Sequence, residues 1–223
     1  MQGVIVSWSG GKDSALALYK LLNSDEYRVE GLLSTTSSES ERLPVHEVRR
    51  ELIKKQAESL DLPLFEVQLP SNADNETYEH TLSQQFAKFK EQDIEMIAFA
   101  DLFLQDIREF REKLLERCGM KGVFPLWGID SSDAASDIIE VGIKTVVITV
   151  DTEKLSPKML GRSYSAGFLK ELPDDIDPCG ENGEFHTFVY DGPLFNEQIN
   201  VIAESVFETM NGRFAHIELR YRS

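Results

Sequence analysis

Short apolar runs alternate with helical patterns through the first half of the chain. Strand-like runs fall at five places: Val4–Ser7, Val29–Ser34, Leu64–Val67, Glu95–Phe99 and Gly122–Phe124. Between them, apolar residues recur every three or four positions over residues 15–22, 45–60, 78–89 and 103–115. This period predicts amphipathic helices, the second beginning at Pro44. Strands that alternate with helices predict an α/β fold with a parallel sheet covered on both faces.

The second half of the chain has a different pattern. It predicts helices at Ser132–Val141 and Tyr164–Leu172, strands at Lys144–Val150 and Glu184–Tyr190, and a loop rich in Asp, Pro and Gly at Pro173–Gly183. Asn211-Gly212 predicts the turn of a C-terminal hairpin. Apolar and polar residues alternate over residues 214–221, which predicts a strand with one buried face. We therefore predict an α/β domain over residues 1–126 and a smaller α+β domain over residues 127–223.

The first predicted strand runs directly into a glycine-rich turn and then into a helix. The candidate ligand-binding residues of this turn are Ser9, Gly10, Gly11, Lys12, Asp13 and Ser14. This arrangement favours phosphate binding, because free backbone N–H groups and the helix dipole face an anion there. Asp13 departs from the Walker pattern, which needs Ser or Thr after the lysine, and the turn lacks the dinucleotide fingerprint. The alternative is an ordinary turn capped by Asp13 or Ser14.

Charged side chains also concentrate in a second segment, Gly180–Thr187. Glu181, Glu184 and His186 fall within this segment, where the predicted loop meets a strand. Because side chains alternate along a strand, we expect Glu184 and His186 on the same face. Carboxylates beside a nucleotide can hold Mg²⁺, orient an amine or accept protons. The residue types alone are equally compatible with a turn and a solvated rim.

The composition narrows the partners of the chain. Its 223 residues are 41% hydrophobic and 28% charged, which is typical of a globular protein. The net charge of −16 argues against a nucleic acid as the main partner. No apolar run has the length of a membrane span and no signal peptide is expected, so we predict a cytoplasmic protein. The two cysteines are far apart in the sequence, which excludes a zinc ribbon or a disulfide scaffold.

The run Ser-Gly-Gly-x-Asp-Ser after an N-terminal strand resembles the PP-loop of the N-type ATP pyrophosphatases, which cleave ATP between its α and β phosphates. Three further segments follow it in order: Phe124–Trp127, Leu160–Arg162 and Asp177–Phe195. Together they resemble the diphthine–ammonia ligase family. The resemblance implies a five-stranded PP-loop ATP-binding domain with a smaller domain closing over it. It also implies an amidation, in which ATP adenylates a carboxylate, pyrophosphate leaves and ammonia displaces AMP.

The resemblance further implies roles for individual residues. The predicted catalytic set is Lys12, Asp13, Glu181, Glu184 and His186. Lys12, the N–H groups of the turn and Mg²⁺ are expected to stabilise the charge that develops on pyrophosphate. Asp13 is the predicted metal ligand, and an N-terminal helix residue with no metal is the alternative.

Other candidates lie at the ends of predicted strands or in loops. Thr35 and Thr36 end the second strand and are expected to contact adenosine. Asp101 follows the fourth strand and is expected in the same crevice, with a helix cap as its alternative. Arg162 is expected to reach phosphate or the acyl-adenylate, with a surface arginine as the alternative. His46 either approaches the substrate or lies on the surface.

The match departs from the family at two places, and both departures are similar to those of bacterial relatives. One is the region Phe99–Arg108, which differs from the archaeal Gly-Ala-Ile pattern, and the other is His186. His186 stands where many members have the second glutamate of the acidic motif. The expected partners are ATP, Mg²⁺, ammonia and a carboxylate on a small molecule or a modified protein side chain. Two other functions compete: a tRNA-modifying PP-loop pyrophosphatase and a non-catalytic ATP-binding sensor. A homodimer through the edge of the C-terminal hairpin is a further hypothesis.

Overall fold

A computed structural model describes residues 1–71 and 73–222. Its first part consists of β1 (Gln2–Ser7), α1 (Lys12–Leu22), β2 (Tyr27–Ser37), α2 (Arg50–Leu60), β3 (Leu64–Leu69), α3 (Asn75–Lys90), β4 (Met96–Ala98), α4 (Gln105–Arg117) and β5 (Lys121–Val123). The five strands form one parallel sheet in the order β3-β2-β1-β4-β5. The predicted α/β fold with a five-stranded parallel sheet is thereby confirmed.

The central strand β1 is apolar on both faces because helices cover both. Val4 and Val6 pack on one side with residues of α1, whereas Ile5 packs on the other with residues of α3 and α4. The chain leaves β1 for β2 on one side and reaches β4 on the other. In open α/β sheets such a reversal opens a crevice at the carboxyl ends of the strands. The glycine turn after β1 lies at this position.

The second part is an antiparallel sheet with helices beside it. It consists of α5 (Ser131–Val141), β6 (Lys144–Asp151), α6 (Ala166–Glu171), β7 (Phe185–Asp191), β8 (Val201–Thr209) and β9 (Phe214–Tyr221). The strand order is β7-β6-β9-β8. The smaller α+β unit is therefore confirmed, and so is the hairpin turn, where Asn211 and Gly212 have φ of +57° and +86°. The dimer hypothesis concerns β8, the strand at the edge of this sheet, and stays a prediction.

One hydrophobic core connects the two sheets. It includes Val6 and Leu18 from the first part and Val150 and Phe188 from the second. The antiparallel sheet thus packs on the side of the parallel sheet that carries α1. The domain boundary at residue 126 stays a prediction. Within the described residues, no helix is long and apolar enough to cross a membrane.

The predicted start of the second helix at Pro44 is wrong, since α2 begins at Arg50. The preceding segment is an irregular loop in which Glu41, Val45 and Glu47 all have positive φ. Contacts with β9 stabilise this irregular conformation, because Arg42 and Arg49 both donate to the carboxylate of Glu218. Local propensity for a helix is overridden by these ion pairs.

The predicted half-buried character of the last strand is also wrong. His216 and Glu218 of its polar face are only 2% and 6% exposed. Glu218 is covered by the two arginines of the loop, and His216 hydrogen-bonds Thr149 and Thr209 of the neighbouring strands at 2.9 and 2.8 Å. Partners distant in sequence therefore bury a face that the alternation assigned to solvent.

Candidate active site

The turn between β1 and α1 has no room for side chains at its glycines. Gly10 has a φ of +77°, and a Cβ there would lie 2.6 Å from Oε1 of Gln56 and 2.7 Å from Cδ1 of Ile53. At Gly11, a Cβ would lie 3.2 Å from the carbonyl oxygen of Thr187. The two glycines therefore allow both α2 and β7 to approach the turn closely.

The N-terminus of α1 presents unused donors. Of the residues that the structure describes, none accepts a hydrogen bond from the N–H of Asp13 or Ser14, and the N–H of Gly10 is equally free. The hydroxyls of Ser9 and Ser14 lie 3.2 Å apart beside these donors. A helix N-terminus with free N–H groups and hydroxyls is suited to bind an anion such as phosphate.

Strand β7 closes over the turn from the second sheet. The hydroxyl of Thr187 accepts from the N–H of Lys12 at 3.1 Å, and the N–H of Val189 donates to the carbonyl of Gly10 at 2.9 Å. The side-chain amide of Gln56 donates to the carbonyls of Gly10 and Val189 at 2.9 and 2.6 Å. The glycine turn is therefore held between α2 and β7.

Lys12 is buried beneath the C-terminal part of the chain. Its side chain is 2% exposed, and Nζ donates to both carboxylate oxygens of Asp13, at 2.8 and 3.1 Å, and to the carbonyl of Cys179. Burial opposes the charge, but Asp13 and the other negative groups outweigh it and raise the pKa of Lys12 above its ordinary value. Lys12 is thus a permanent cation that joins the turn to the loop before β7.

A cavity of about 450 Å³ opens in front of the turn. Its walls come from the turn itself, residues 44–46, residues 100–111 after β4 and residues 179–187. The volume is in the range of small-molecule sites. A second groove of about 550 Å³ lies beside β8, where Arg222 is its one charged lining residue among those described. We take the first cavity as the candidate site because it holds the free donors and the titratable groups.

Two carboxyl groups of the cavity, those of Asp101 and Glu181, lie close enough for the charge of one to act on the other. Asp101 is paired through Oδ1 with Arg111 at 3.1 Å, and Glu181 accepts from the N–H of Leu102 at 2.8 Å. Burial raises the pKa of Glu181 to about 7, and the charges of Asp13 and Asp101 add to that effect. Burial also raises the pKa of Asp101. Both groups lie in an environment that disfavours negative charge.

Two histidines form another part of the cavity wall. The rings of His46 and His186 have centroids 4.3 Å apart. Burial lowers the pKa of His46 to about 4 and that of His186 well below its usual range, and the positive charge of Lys12 acts in the same direction. Both imidazoles are therefore neutral at physiological pH, which makes them hydrogen-bonding groups and not cations.

Most of the predicted site residues meet in this cavity. Those that line it are Ser9, Gly11, Lys12, Asp13, Ser14, Asp101, Glu181 and His186. Gly10 lies directly behind them, against Gln56. Residues from three separate parts of the sequence are thus brought together around the turn.

Four other predicted residues lie outside the lining of the cavity. Thr35 and Thr36 are on β2, where Thr36 is buried. Glu184 is buried just before β7 and accepts from Asn182 at 3.1 Å, so it does not share a strand face with His186, which lines the cavity. Arg162 forms a bidentate pair with Glu171 at 2.7 and 2.9 Å. Their assignment to ligand binding or catalysis stays a prediction.

Sequence reasoning missed several residues of the site. Thr187 was part of the acidic motif without a role of its own, although its hydroxyl contacts the turn. Arg111 lies one helical turn after Ile107 on α4, and both line the cavity, so helical spacing was the available signal. Gln56 gave no signal, because a glutamine within an amphipathic helix is ordinarily assigned to its solvated face.

The fit of the site to Mg²⁺ follows from its carboxylates. Among residues 1–71 and 73–222, no group of three His, Cys, Asp or Glu side chains is arranged to hold a metal ion by itself. Mg²⁺ commonly uses one or two carboxylates together with substrate phosphates. Asp13, at the mouth of the turn, suits that mode, in which the ion arrives with the nucleotide.

Comparison with known proteins identifies the family. Residues 2–122 match the diphthamide synthase N-terminal domain, and residues 130–221 match the diphthamide synthase C-terminal domain. This chain belongs to the diphthamide synthase family. It is 25% identical over 236 aligned residues to the diphthine–ammonia ligase of Schizosaccharomyces pombe, covering 95% of this chain and 38% of that protein.

Vertebrate members of the diphthamide synthase family are also similar to this chain. The diphthine–ammonia ligase of Danio rerio is 31% identical over 120 residues, covering 51% of this chain and 47% of that protein. The human diphthine–ammonia ligase is 31% identical over 109 residues, covering 46% and 41%. The chain thus spans less than half the length of these curated relatives. Among solved structures, the U34-tRNA thiolase NcsA from Methanococcus maripaludis matches 63% of this chain and 58% of its own, at 15% identity and a TM-score of 0.39.

Proposed function

We propose that this protein is an ATP-dependent ligase that adenylates a carboxylate and transfers the acyl group to ammonia. The name of its relatives, diphthine–ammonia ligase, supports the joining of a substrate to ammonia. One observation carries the proposal: the free N–H groups at the start of α1 open into a cavity that also holds Lys12, Asp13 and Glu181. Membership of the diphthamide synthase family supports the reaction class.

The triphosphate of ATP binds at the glycine turn. The N–H groups of Gly10, Asp13 and Ser14 and the hydroxyl of Ser9 donate to phosphate oxygens, whereas the hydroxyl of Ser14 donates to the carbonyl of Gly11 at 2.9 Å. Mg²⁺, held by Asp13 and the phosphates, supplies charge neutralisation when bound. Lys12 keeps its positive charge behind the turn, where it lowers the cost of negative charge in front.

The reaction has two steps in the cavity. A carboxylate oxygen attacks the α-phosphorus of ATP, the bond between the α and β phosphates breaks, and pyrophosphate leaves with the electron pair. Ammonia then attacks the acyl carbon, the bond from carbon to the AMP oxygen breaks, and AMP leaves. Adenylation is needed because a free carboxylate repels nucleophiles and has no good leaving group.

The loop before β7 and the first residues of β7 cover one side of the cavity. Glu181 reaches across the cavity to the N–H of Leu102, and Thr187 covers the N–H of Lys12. Cover on this side reduces the access of water to an acyl-adenylate. The acceptor carboxylate lies on a small molecule or a modified protein side chain, for which the diphthine of the relatives' name is the leading candidate.

The products of ATP cleavage test this function. The protein is incubated with ATP, Mg²⁺, ammonium and a panel of carboxylates that includes a diphthine-bearing protein. We expect AMP and pyrophosphate, together with one amide per AMP. Asp13→Asn is expected to lower the rate about 100-fold, since it removes a charge that positions the metal.

Asp133→Asn is the matched control, because Asp133 occupies the first turn of α5 as Asp13 does in α1 and is exposed. It is expected to retain the full rate. ADP and phosphate as products would contradict the proposal, and so would binding of ATP without turnover for any carboxylate.

A further inference from the structure

The three carboxyl groups of the cavity differ in how completely they are hydrogen-bonded. Both oxygens of Asp13 accept from Nζ of Lys12. Asp101 uses Oδ1 for Arg111, and Glu181 uses Oε1 for the N–H of Leu102. Oδ2 of Asp101 is buried and accepts from none of the residues that the structure describes. The hydrogen bond from Leu102 uses only Oε1 of Glu181, whose Oε2 is not among the buried unpaired oxygens of the described residues. One acceptor on each of two neighbouring carboxylates is therefore unused.

The unused oxygen of Asp101 is unusual because the side chain is about nine-tenths buried. Asp101 is 9% exposed, lines the cavity, and its Oδ2 is buried with no partner among the described residues. A buried carboxylate acceptor without a partner destabilises the protein, and more strongly when it is charged. Such a group calls for a ligand that donates hydrogen bonds and carries positive charge.

The cations of the chain itself do not meet this need. Lys12 is bound to Asp13 and Cys179, and Arg111 is paired with only one oxygen of Asp101. Mg²⁺ is assigned to Asp13 together with the phosphates, and no three of the described His, Cys, Asp or Glu side chains form a metal site of their own around Asp101. A small monovalent cation with several N–H donors fits the two separate acceptors.

We propose that ammonium, the second substrate of the proposed ligase, binds between Asp101 and Glu181 and gives a proton to Glu181. This rests on the proposed function, which supplies the acyl-adenylate that the nitrogen attacks. Asp101 holds the cation, and Glu181, on the loop that closes the cavity, is the general base.

The proton and electron balance is simple. One N–H bond of ammonium breaks, its electron pair stays on nitrogen, and the proton moves to the carboxylate of Glu181. The lone pair of the resulting ammonia attacks the acyl carbon, and the bond to AMP breaks. The amide nitrogen then loses its extra proton to water, and Glu181 returns its proton to solvent as AMP leaves.

Burial and the neighbouring charges together set the pKa of Glu181, and with it the pH range in which Glu181 can accept a proton. Asp13 and Asp101 raise its pKa, and Lys12 lowers it, with burial as the largest cause and a result of about 7. Only the carboxylate form accepts a proton, so the amidation rate at saturating ATP is expected to rise with pH through about 7 and then level off. Ammonium stays largely protonated over that range, so the rise reports the base.

Steady-state kinetics in ammonium tests the assignment. Glu181→Gln keeps the acceptor for the N–H of Leu102 and removes the base. We expect amidation to fall about 100-fold and the rise near pH 7 to disappear. In Asp101→Asn we expect the KM for ammonium to increase about tenfold with a smaller change in kcat. Glu153→Gln, whose side chain is 73% exposed, is the control and should match the unmodified protein.

Exchange of labelled pyrophosphate into ATP, measured with the carboxylate and no ammonium, separates this proposal from the proposed function. Exchange is expected to stay within about twofold of normal in both variants, because adenylation precedes the nitrogen. Hydroxylamine, largely uncharged at neutral pH, should restore turnover in Glu181→Gln.

Four results would overturn the ammonium site. The first is an unchanged dependence of the rate on ammonium in both variants, and the second is a loss of pyrophosphate exchange in the variants. The third is an equal loss of rate with hydroxylamine and with ammonium in Glu181→Gln. The fourth is a rise of the amidation rate near pH 7 that persists in Glu181→Gln. Absence of exchange in the unmodified protein would overturn the proposed function as well.

Discussion

At the scale of single residues, the shape of the glycine turn between β1 and α1 depends on Gly10 and Gly11. Gly10 combines a left-handed φ with close contact to α2, and Gly11 is in contact with β7. This part of the site could be predicted from the sequence, because a glycine pair between a strand and a helix has few other purposes. The environment of Lys12 could not be predicted from the sequence, because Cys179, whose carbonyl accepts from Nζ, is far away along the chain.

Replacing Gly10 by alanine tests the close packing of the turn. The new Cβ would lie 2.6 Å from Oε1 of Gln56, in addition to the strain of a φ of +77°. We expect a loss of about 2–3 kcal/mol in the free energy of unfolding, measured by urea denaturation. Gly128→Ala is the matched control, because Gly128 has a φ of +78° and nothing within 4 Å of the position of a Cβ.

The control separates strain from contact. Gly128→Ala should lose only about 1 kcal/mol, which is the cost of the left-handed backbone. Equal losses in the two variants would mean that contact with α2 does not restrict the turn.

At the scale of elements, periodicity predicted nearly every strand and helix of the parallel sheet. Its strands have buried runs and its helices have apolar faces, and both signals are local. The loop before α2 was missed because its conformation depends on Glu218 of β9, which binds Arg42 and Arg49. The contact of β7 with the turn was also unpredictable, because hydrogen bonds such as Val189 to Gly10 connect elements far apart in the chain.

The amide of Gln56 links α2, the turn and β7. It accepts from the indole of Trp8 at 2.9 Å and donates to the carbonyls of Gly10 and Val189. Gln56→Ala leaves the indole N–H of Trp8 without its partner and removes one donor from each of the two carbonyls, of which that of Gly10 keeps the N–H of Val189. We therefore expect a loss on the order of 2 kcal/mol in unfolding free energy. Thermal and urea denaturation would measure it.

Gln84→Ala is the control for this prediction, since Gln84 is an exposed glutamine within α3. It should change stability by less than about 0.5 kcal/mol. If Gln56→Ala also lost less than this, the hydrogen bonds of Gln56 would contribute little to the free energy of unfolding.

At the scale of the whole molecule, the site lies where the two sheets meet. The free N–H donors lie in the turn after β1 of the parallel sheet, Glu181 lies in the loop that leads into the antiparallel sheet, and His186 and Thr187 lie on β7 of that sheet. A net charge of −16 disfavours an anionic ligand over most of the surface. The free N–H groups and Lys12 therefore make the turn a local exception, and nucleotide binding should involve both parts of the chain.

The proposed function depends on one binding event, in which the turn between β1 and α1 binds the triphosphate of ATP. Amide NMR of the isotope-labelled protein, titrated with Mg²⁺ and an ATP analogue that resists cleavage between the α and β phosphates, tests it most directly. We expect the amide signals of Gly10, Asp13 and Ser14 to shift most, with smaller shifts at Glu181 and Thr187. Unchanged signals in the turn, with shifts at the groove beside β8 or with none at all, would contradict it.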